Sequence, residues 1–170
     1  MAWTNPKTWV AGDVVGANDL NEQLRDNLSY LHSRPHQRIV RVATADYITT
    51  STTFVDIDST NLSITLTVSS GAVMVGFSGV TLVNTGANVK PAFNFTIDSV
   101  PFTSAARGVV CYDQPAGAAV FDGPVSYVAL VTDLTVGAHT FRPQWRNIAT
   151  GTVMLYAVSS PVIFWAMEVA

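Results

Sequence analysis

Cysteine is nearly missing from this chain. One residue, Cys111, excludes an internal disulfide and any multi-cysteine zinc cluster. It sits in the apolar run Val109, Val110, Cys111, Tyr112 and reads as a small buried hydrophobe rather than a nucleophile. Charge is scarce as well: Asp, Glu, Lys and Arg make up 12% of residues, against a usual share of about 25%. The surface must then be covered by Ser, Thr, Asn and Gly, or hidden against other subunits. A net charge of −3 leaves no electrostatic footprint for nucleic acid. Although 48% of residues are hydrophobic, no apolar run reaches the roughly 18 residues a membrane helix needs. The start, Met1-Ala2-Trp3-Thr4-Asn5-Pro6, lacks a basic region leading into an apolar one. The expectation is therefore synthesis in a cytoplasm without a signal peptide. Also missing are the GxSxG, HExxH, Walker and GxGxxG patterns. A non-enzymatic protein with no cofactor and no metal is expected.

What is present divides in two. Residues 1–41 hold nine charged side chains, and residues 42–170 hold twelve over three times the length. Ser33-Arg34-Pro35 lies at that shift, which predicts an N-terminal arm over 1–36 and a body over 37–170. The arm carries the one clear helical pattern, residues 18–33, with Leu20, Leu24, Leu28 and Leu31 on one face. Ala17 or Asn18 is expected at its N-cap, Asp19 and Glu22 favour its first turn, and Pro35 stops it. A helix this short is unstable alone, so the leucines need a partner surface. They either pack on the body or pair with copies of themselves in a bundle, where Asn27 would be the polar residue near the seam.

The body reads as strands throughout: 38–44, 53–57, 61–68, 72–83, 89–98, 107–112, 124–134, 138–146, 152–158 and 161–169. Leu62, Ile64, Leu66 and Val68 alternate with Ser63, Thr65 and Thr67; Phe93, Phe95 and Ile97 alternate with Asn94, Thr96 and Asp98. Short strands with turn signals about every ten residues and no intervening helices predict an all-β sandwich or barrel. The last strand, with Val162, Ile163, Phe164, Trp165, Ala166 and Met167 in a row, is apolar on both faces. That predicts burial on both, the outer face against another subunit.

The candidate chemical groups read as structural. His32 and His36 have the spacing of a helical metal pair, but Pro35 between them breaks the helix. Asp56 and Asp58 share one face of an extended segment, the arrangement of a calcium or acid–base pair. They precede Ser59-Thr60-Asn61 and suit a solvated strand end better. Asp113 and Asp122 bracket a loop tip, 114–119, without diagnostic content. Trp145, Trp165, Tyr127 and Tyr156 mostly alternate with polar residues, as core aromatics do. Trp3 and Trp9 lie in the Pro-containing arm, as interface anchors or packed back on the helix of the same chain.

Two resemblances add to this reading. The arm reads Thr8-Trp9-Val10-Ala11-Gly12-Asp13-Val14-Val15, then Asp19-Leu20-Asn21, then Leu24-Arg25-Asp26-Asn27-Leu28 and Leu31. It resembles the opening of many phage and prophage structural proteins, where a TWxxGxx(V/L) element precedes an LNxx(L)RDNLxxL helix. The match covers roughly residues 4–31 and departs from the pattern at Gly16-Ala17-Asn18. The run Leu134-Thr135-Val136-Gly137-Ala138-His139-Thr140-Phe141-Arg142-Pro143-Gln144-Trp145 resembles, less specifically, a late turn and strand of the trimeric jelly rolls of the tumour-necrosis-factor and complement-head type. Gly151–Leu155 and the final Phe164–Val169 fit the same order.

The resemblances imply a jelly-roll β-sandwich, a homotrimer, and a virion component (fibre, spike or decoration on head or tail) bound to other capsid or tail proteins. Docking would fall to Trp3, Trp9, Val10 and Gly12, and the helix seam to Leu20, Leu24, Asn27, Leu28 and Leu31. Ile163, Phe164, Trp165 and Met167 would form the trimer interface. The competing expectation is an adhesin module for a host-surface glycan, which needs exposed aromatics or carboxylates in a loop groove.

Overall fold

A computed structural model of the chain describes residues 4–84, 89–113 and 120–169. The chain divides into two compact units, Met1–Pro35 and His36–Ala170.

In the first unit the arm folds back along the helix. The Thr4 N–H donates to Asn27 Oδ1 (2.9 Å) and the Thr4 carbonyl accepts from Asn27 Nδ2 (3.0 Å). The Lys7 N–H donates to Gln23 Oε1 (2.7 Å). Between arm and helix the chain turns at Val10–Asp13, where the Asp13 N–H reaches the Val10 carbonyl (3.1 Å). The Asp13 carboxylate accepts the Val10 N–H in return (3.0 Å). Gly12 occupies the third turn position with φ +98°, a conformation glycine adopts without strain.

The helical pattern over 18–33 is realised as α1 (Ala17–Leu20), a wider π-helical stretch (Asn21–Asp26) and α2 (Asn27–His32). The wider winding coincides with Gln23, one of the two side chains that grip the arm, and ends at the other, Asn27. The N-cap is Gly16, one residue before the expected position. Lacking a side chain, it supplies only its N–H, which donates to the Asp19 carboxylate at 3.2 Å.

The second unit is a β-sandwich of two antiparallel sheets. Sheet A contains β1 (His36–Arg41), β2 (Tyr47–Thr49), β5 (Ala72–Asn84), β9 (Val120–Val131), β11 (Thr152–Tyr156) and β12 (Val162–Val169). Sheet B contains β3 (Val55–Asp56), β4 (Ile64–Val68), β6 (Pro91–Ile97), β7 (Val100–Pro101), β8 (Val110–Cys111) and β10 (Gly137–Asn147). The long strand β5 organises sheet A: β9 runs along one edge, and β12 and β11 share the other end to end. β10 does the same in sheet B, with β6 on one side and β4 and β3 on the other. The principal strands β4, β5, β6, β9, β10 and β12 alternate between the two sheets, which is the jelly-roll plan.

Alternating strands close the core. Leu62, Ile64, Leu66 and Val68 all point inward, as their period predicts. They meet Val73, Val75 and Phe77 of β5, Val125 and Tyr127 of β9, and Phe164 of β12. An aromatic chain crosses the middle: Tyr127 stacks on Phe77 (5.5 Å between centroids) and Phe95 (6.0 Å), and Phe77 stacks on Phe93 (5.9 Å). The buried Tyr127 hydroxyl donates to the Asn94 carbonyl (3.1 Å), and burial drives its pKa far above the phenol range.

Two expectations about faces change. Among the described residues, β6 is a strand buried on both sides, with Pro91 to Thr96 all buried. The following segment covers its outer side: Asn94 Nδ2 donates to the Thr103 carbonyl (2.9 Å), and the Phe102 ring stacks on Phe95 (4.5 Å). The last strand, β12, is covered within this chain on one face only. Phe164 is fully buried in the sandwich core, so it does not belong with Ile163, Trp165 and Met167, which share the outer face.

Candidate functional site

The outer face of sheet A carries a run of apolar side chains. Its register sets Trp165 of β12 beside Gly76 of β5, which in turn faces Val128 of β9. The next row holds Met167, Met74 and Leu130. The row on the other side holds Val40 of β1, Ile163 and Ser78. Val128 (57%), Leu130 (56%) and Met167 (37%) are exposed. Trp165 lies flat against its neighbour because Gly76 has no side chain; a Cβ there would collide with the indole atoms Cε2, Cζ2 and Nε1.

Strands β5 and β11 contain no charged residue, and the one in β12, Glu168, points inward. A face of this kind is poorly matched to water and well matched to a protein surface, because aromatic and methionine side chains dominate interface cores.

At one end of the sandwich three turns meet. Glu168 is wholly buried, and its Oε1 accepts from the Ser69 N–H (2.6 Å), the Ser69 hydroxyl (2.9 Å) and the Ser70 N–H. Burial pushes its pKa up, but these hydrogen bonds outweigh that and hold it below the usual glutamate value. The Leu134 N–H donates to the Gly71 carbonyl (2.9 Å), joining the β4–β5 and β9–β10 turns. His139 bridges to Asp98 in the tight β6–β7 turn, with 2.7 Å between Nδ1 and Oδ2.

The arm presents a second apolar surface. Leu20, Leu24, Leu28 and Leu31 are between 43% and 63% exposed, all on one side of the helical run. Trp9, Val15, Leu20 and Leu24 line a pocket of about 230 Å³ with Asp19 and Gln23 at its margin. Lys7 lies over the Trp9 ring (4.4 Å to its centroid) and pairs with Asp19 (3.0 Å). Lys7 and the Gly16 N–H lower the Asp19 pKa. Val10 is exposed beside the Gly12 turn.

Asn27 is turned to the arm of its own chain, buried with both amide atoms bonded to Thr4, rather than offered to the leucine side. Trp3 and the 114–119 loop lie outside the described residues.

The remaining candidates are occupied structurally. Asp56 accepts from Gln144 Nε2 (2.8 Å). Asp58 accepts from the Tyr47 hydroxyl (2.7 Å) and from the backbone N–H groups of Thr60 and Asn61. The two carboxylates therefore serve separate partners. His32 ends α2, and His36 opens β1. Among the described residues no cluster of His, Cys, Asp and Glu could hold a metal ion, and no helix is long and apolar enough to cross a membrane. Cys111 is half-buried, and burial raises its thiol pKa above the usual value.

No family model and no curated protein matches the chain. Among solved structures it is similar to a pentameric capsid protein isolated from metagenomic phage sequences. The identity is 16% and the TM-score 0.30, over 95% of this chain and 81% of that one.

Proposed function

We propose that the chain is a non-enzymatic structural component of a bacteriophage virion: a homotrimeric fibre, spike or decoration protein. The observation that carries this reading is the outer face of sheet A. Trp165, Met167, Ile163, Met74, Val128 and Leu130 form an apolar patch on which β5 and β12 place no outward charge, with Arg38 of β1 at its edge beside Trp165. Burying a large apolar side chain is worth roughly 1.5–3 kcal/mol. Copies that pair through this face therefore gain what a solitary chain forgoes. The phage assignment rests on the TWxxG and LNxxLRDNLxxL elements of the arm, whose parts have physical roles here. Gly12 makes the turn, and the helix carries four exposed leucines. The sandwich is the displayed body, and the arm with Trp9 and Val10 is the anchor to capsid or tail proteins.

The test places charge on the patch without touching the core. Val128→Glu and Met167→Lys, both at exposed positions, are expected to yield folded chains that sediment as monomers. Variants that keep the mass of the unmodified assembly would overturn the use of this face.

A further inference from the structure

The nearest polar atom to each ring nitrogen of His139 is one that only accepts hydrogen bonds, the Thr135 hydroxyl lying farther off at 3.5 Å from Nε2. Nδ1 lies 2.7 Å from Asp98 Oδ2, and Nε2 lies 2.7 Å from the Thr135 carbonyl oxygen. A neutral imidazole carries one N–H and one lone pair, so one of these short contacts would set two lone pairs against each other. Only the imidazolium satisfies both. The ring is buried, which leaves water little access to replace a lost partner.

Asp98 is committed in the complementary sense. Its other oxygen, Oδ1, accepts the Thr140 N–H (2.8 Å), and its own N–H donates to the Thr140 carbonyl (2.8 Å). The Thr140 N–H and the His139 contact hold its carboxyl below the usual aspartate range. Asp98 and Ser99 both have positive φ, 51° and 70°, so the two-residue turn between β6 and β7 is strained wherever glycine is absent. The His139 bridge fastens this strained turn to the β9–β10 turn through Thr135.

We propose that His139 is a protonated staple between these two turns, and that the end of the sandwich it closes is a pH-sensitive lock, shut in acid and loosened in alkali. Every neighbouring element is consistent with that. Opposite His139, β4 brings Thr65, Leu66 and Thr67, none of them titratable. Asp133, in the β9–β10 turn, takes the Thr132 hydroxyl (3.0 Å). Among the described residues, Asp98 is the charged group in contact with the ring. The Thr135 carbonyl first, and then Asp98, raise the His139 pKa above its ordinary 6.5. The staple's contribution is accordingly complete below that ordinary value and is lost as pH rises through the folded one.

The experiment is a long-range proton–nitrogen NMR titration of the full-length chain. In the unmodified protein at pH 6.5, both His139 ring nitrogens should carry protons, with a midpoint above that pH. Asp98→Asn keeps a residue tolerant of positive φ and lets its amide donate to a neutral Nδ1. It should lower the His139 midpoint by about one pH unit or more. A single ring proton at pH 6.5 in the unmodified protein overturns the proposal without any variant. An unchanged midpoint in a folded Asp98→Asn chain overturns it too.

Discussion

The Trp165 indole lies across Gly76 on the adjacent strand, filling the space a side chain there would take. The pair joins β12 to β5 at the centre of the outer face, so the flatness of that face depends on one glycine.

Gly76→Ala should therefore act on assembly more than on folding. The added methyl meets a ring that can swing outward but cannot pass through the sheet. Displacing it costs about 1–3 kcal/mol as for other overpacked sites. The raised indole should weaken self-association, read as a lower oligomer fraction at fixed concentration, while far-ultraviolet dichroism keeps its β signature. A variant that assembles as well as the parent chain would remove Trp165 from the contact.

Glu168→Gln should cost stability at neutral pH and little in acid. The folded pKa is depressed, so the carboxylate's contribution is present above the ordinary glutamate value and disappears as pH falls through the folded one. Losing a charge-assisted acceptor for Ser69 and Ser70 is worth on the order of 1.5–3 kcal/mol. Urea denaturation at pH 7 and pH 3 checks this. The gap between parent and variant should narrow at the lower pH.

Gly12→Ala should loosen the arm and leave the body alone. Nothing lies within 4 Å of the position, so the whole effect is the cost of φ +98° for an L residue, about 1 kcal/mol. Faster hydrogen exchange at the Asp13 amide, with an unchanged melting temperature of the sandwich, is the expected result.

Leu24→Asp tests the exposed helical stripe. Leu24 lies in the middle of Leu20, Leu24, Leu28 and Leu31, and it also walls the Trp9 pocket. A carboxylate at a seam between copies should weaken the assembly at least tenfold, as measured by dilution. An unaltered assembly would assign the stripe to another partner.

Much of the sandwich is written in local patterns. The alternation of Leu62, Ile64, Leu66 and Val68 identifies both a strand and its inner face, because a half-buried strand needs one apolar residue in two. β2 and β7, three and two residues long, are too short to show any period.

Burial by a distant segment is illegible in the same way. β6 alternates in sequence yet is buried on both sides, because Thr103 and Phe102 cover it, whereas β12 is apolar on both faces and buried on one. Glu168 reads as a polar chain end until Ser69 and Ser70, nearly a hundred positions earlier, wrap its carboxylate. Gly76 did carry a signal, since a glycine inside a long strand marks a close approach. The partner, Trp165, is named only by the register. Asn27 sits beside the leucine pattern yet faces Thr4, because the arm's return path is not encoded in the helix period.

In the proposed assembly, copies of this chain bury the outer face of sheet A against one another as a trimer. Light scattering after size exclusion on the full-length chain tests it most directly. A trimer has a mass of about three times the 18.2 kDa of one chain, and that is the expected value. A monomer at concentrations well above micromolar would contradict it, leaving Trp165, Val128 and Leu130 open to water.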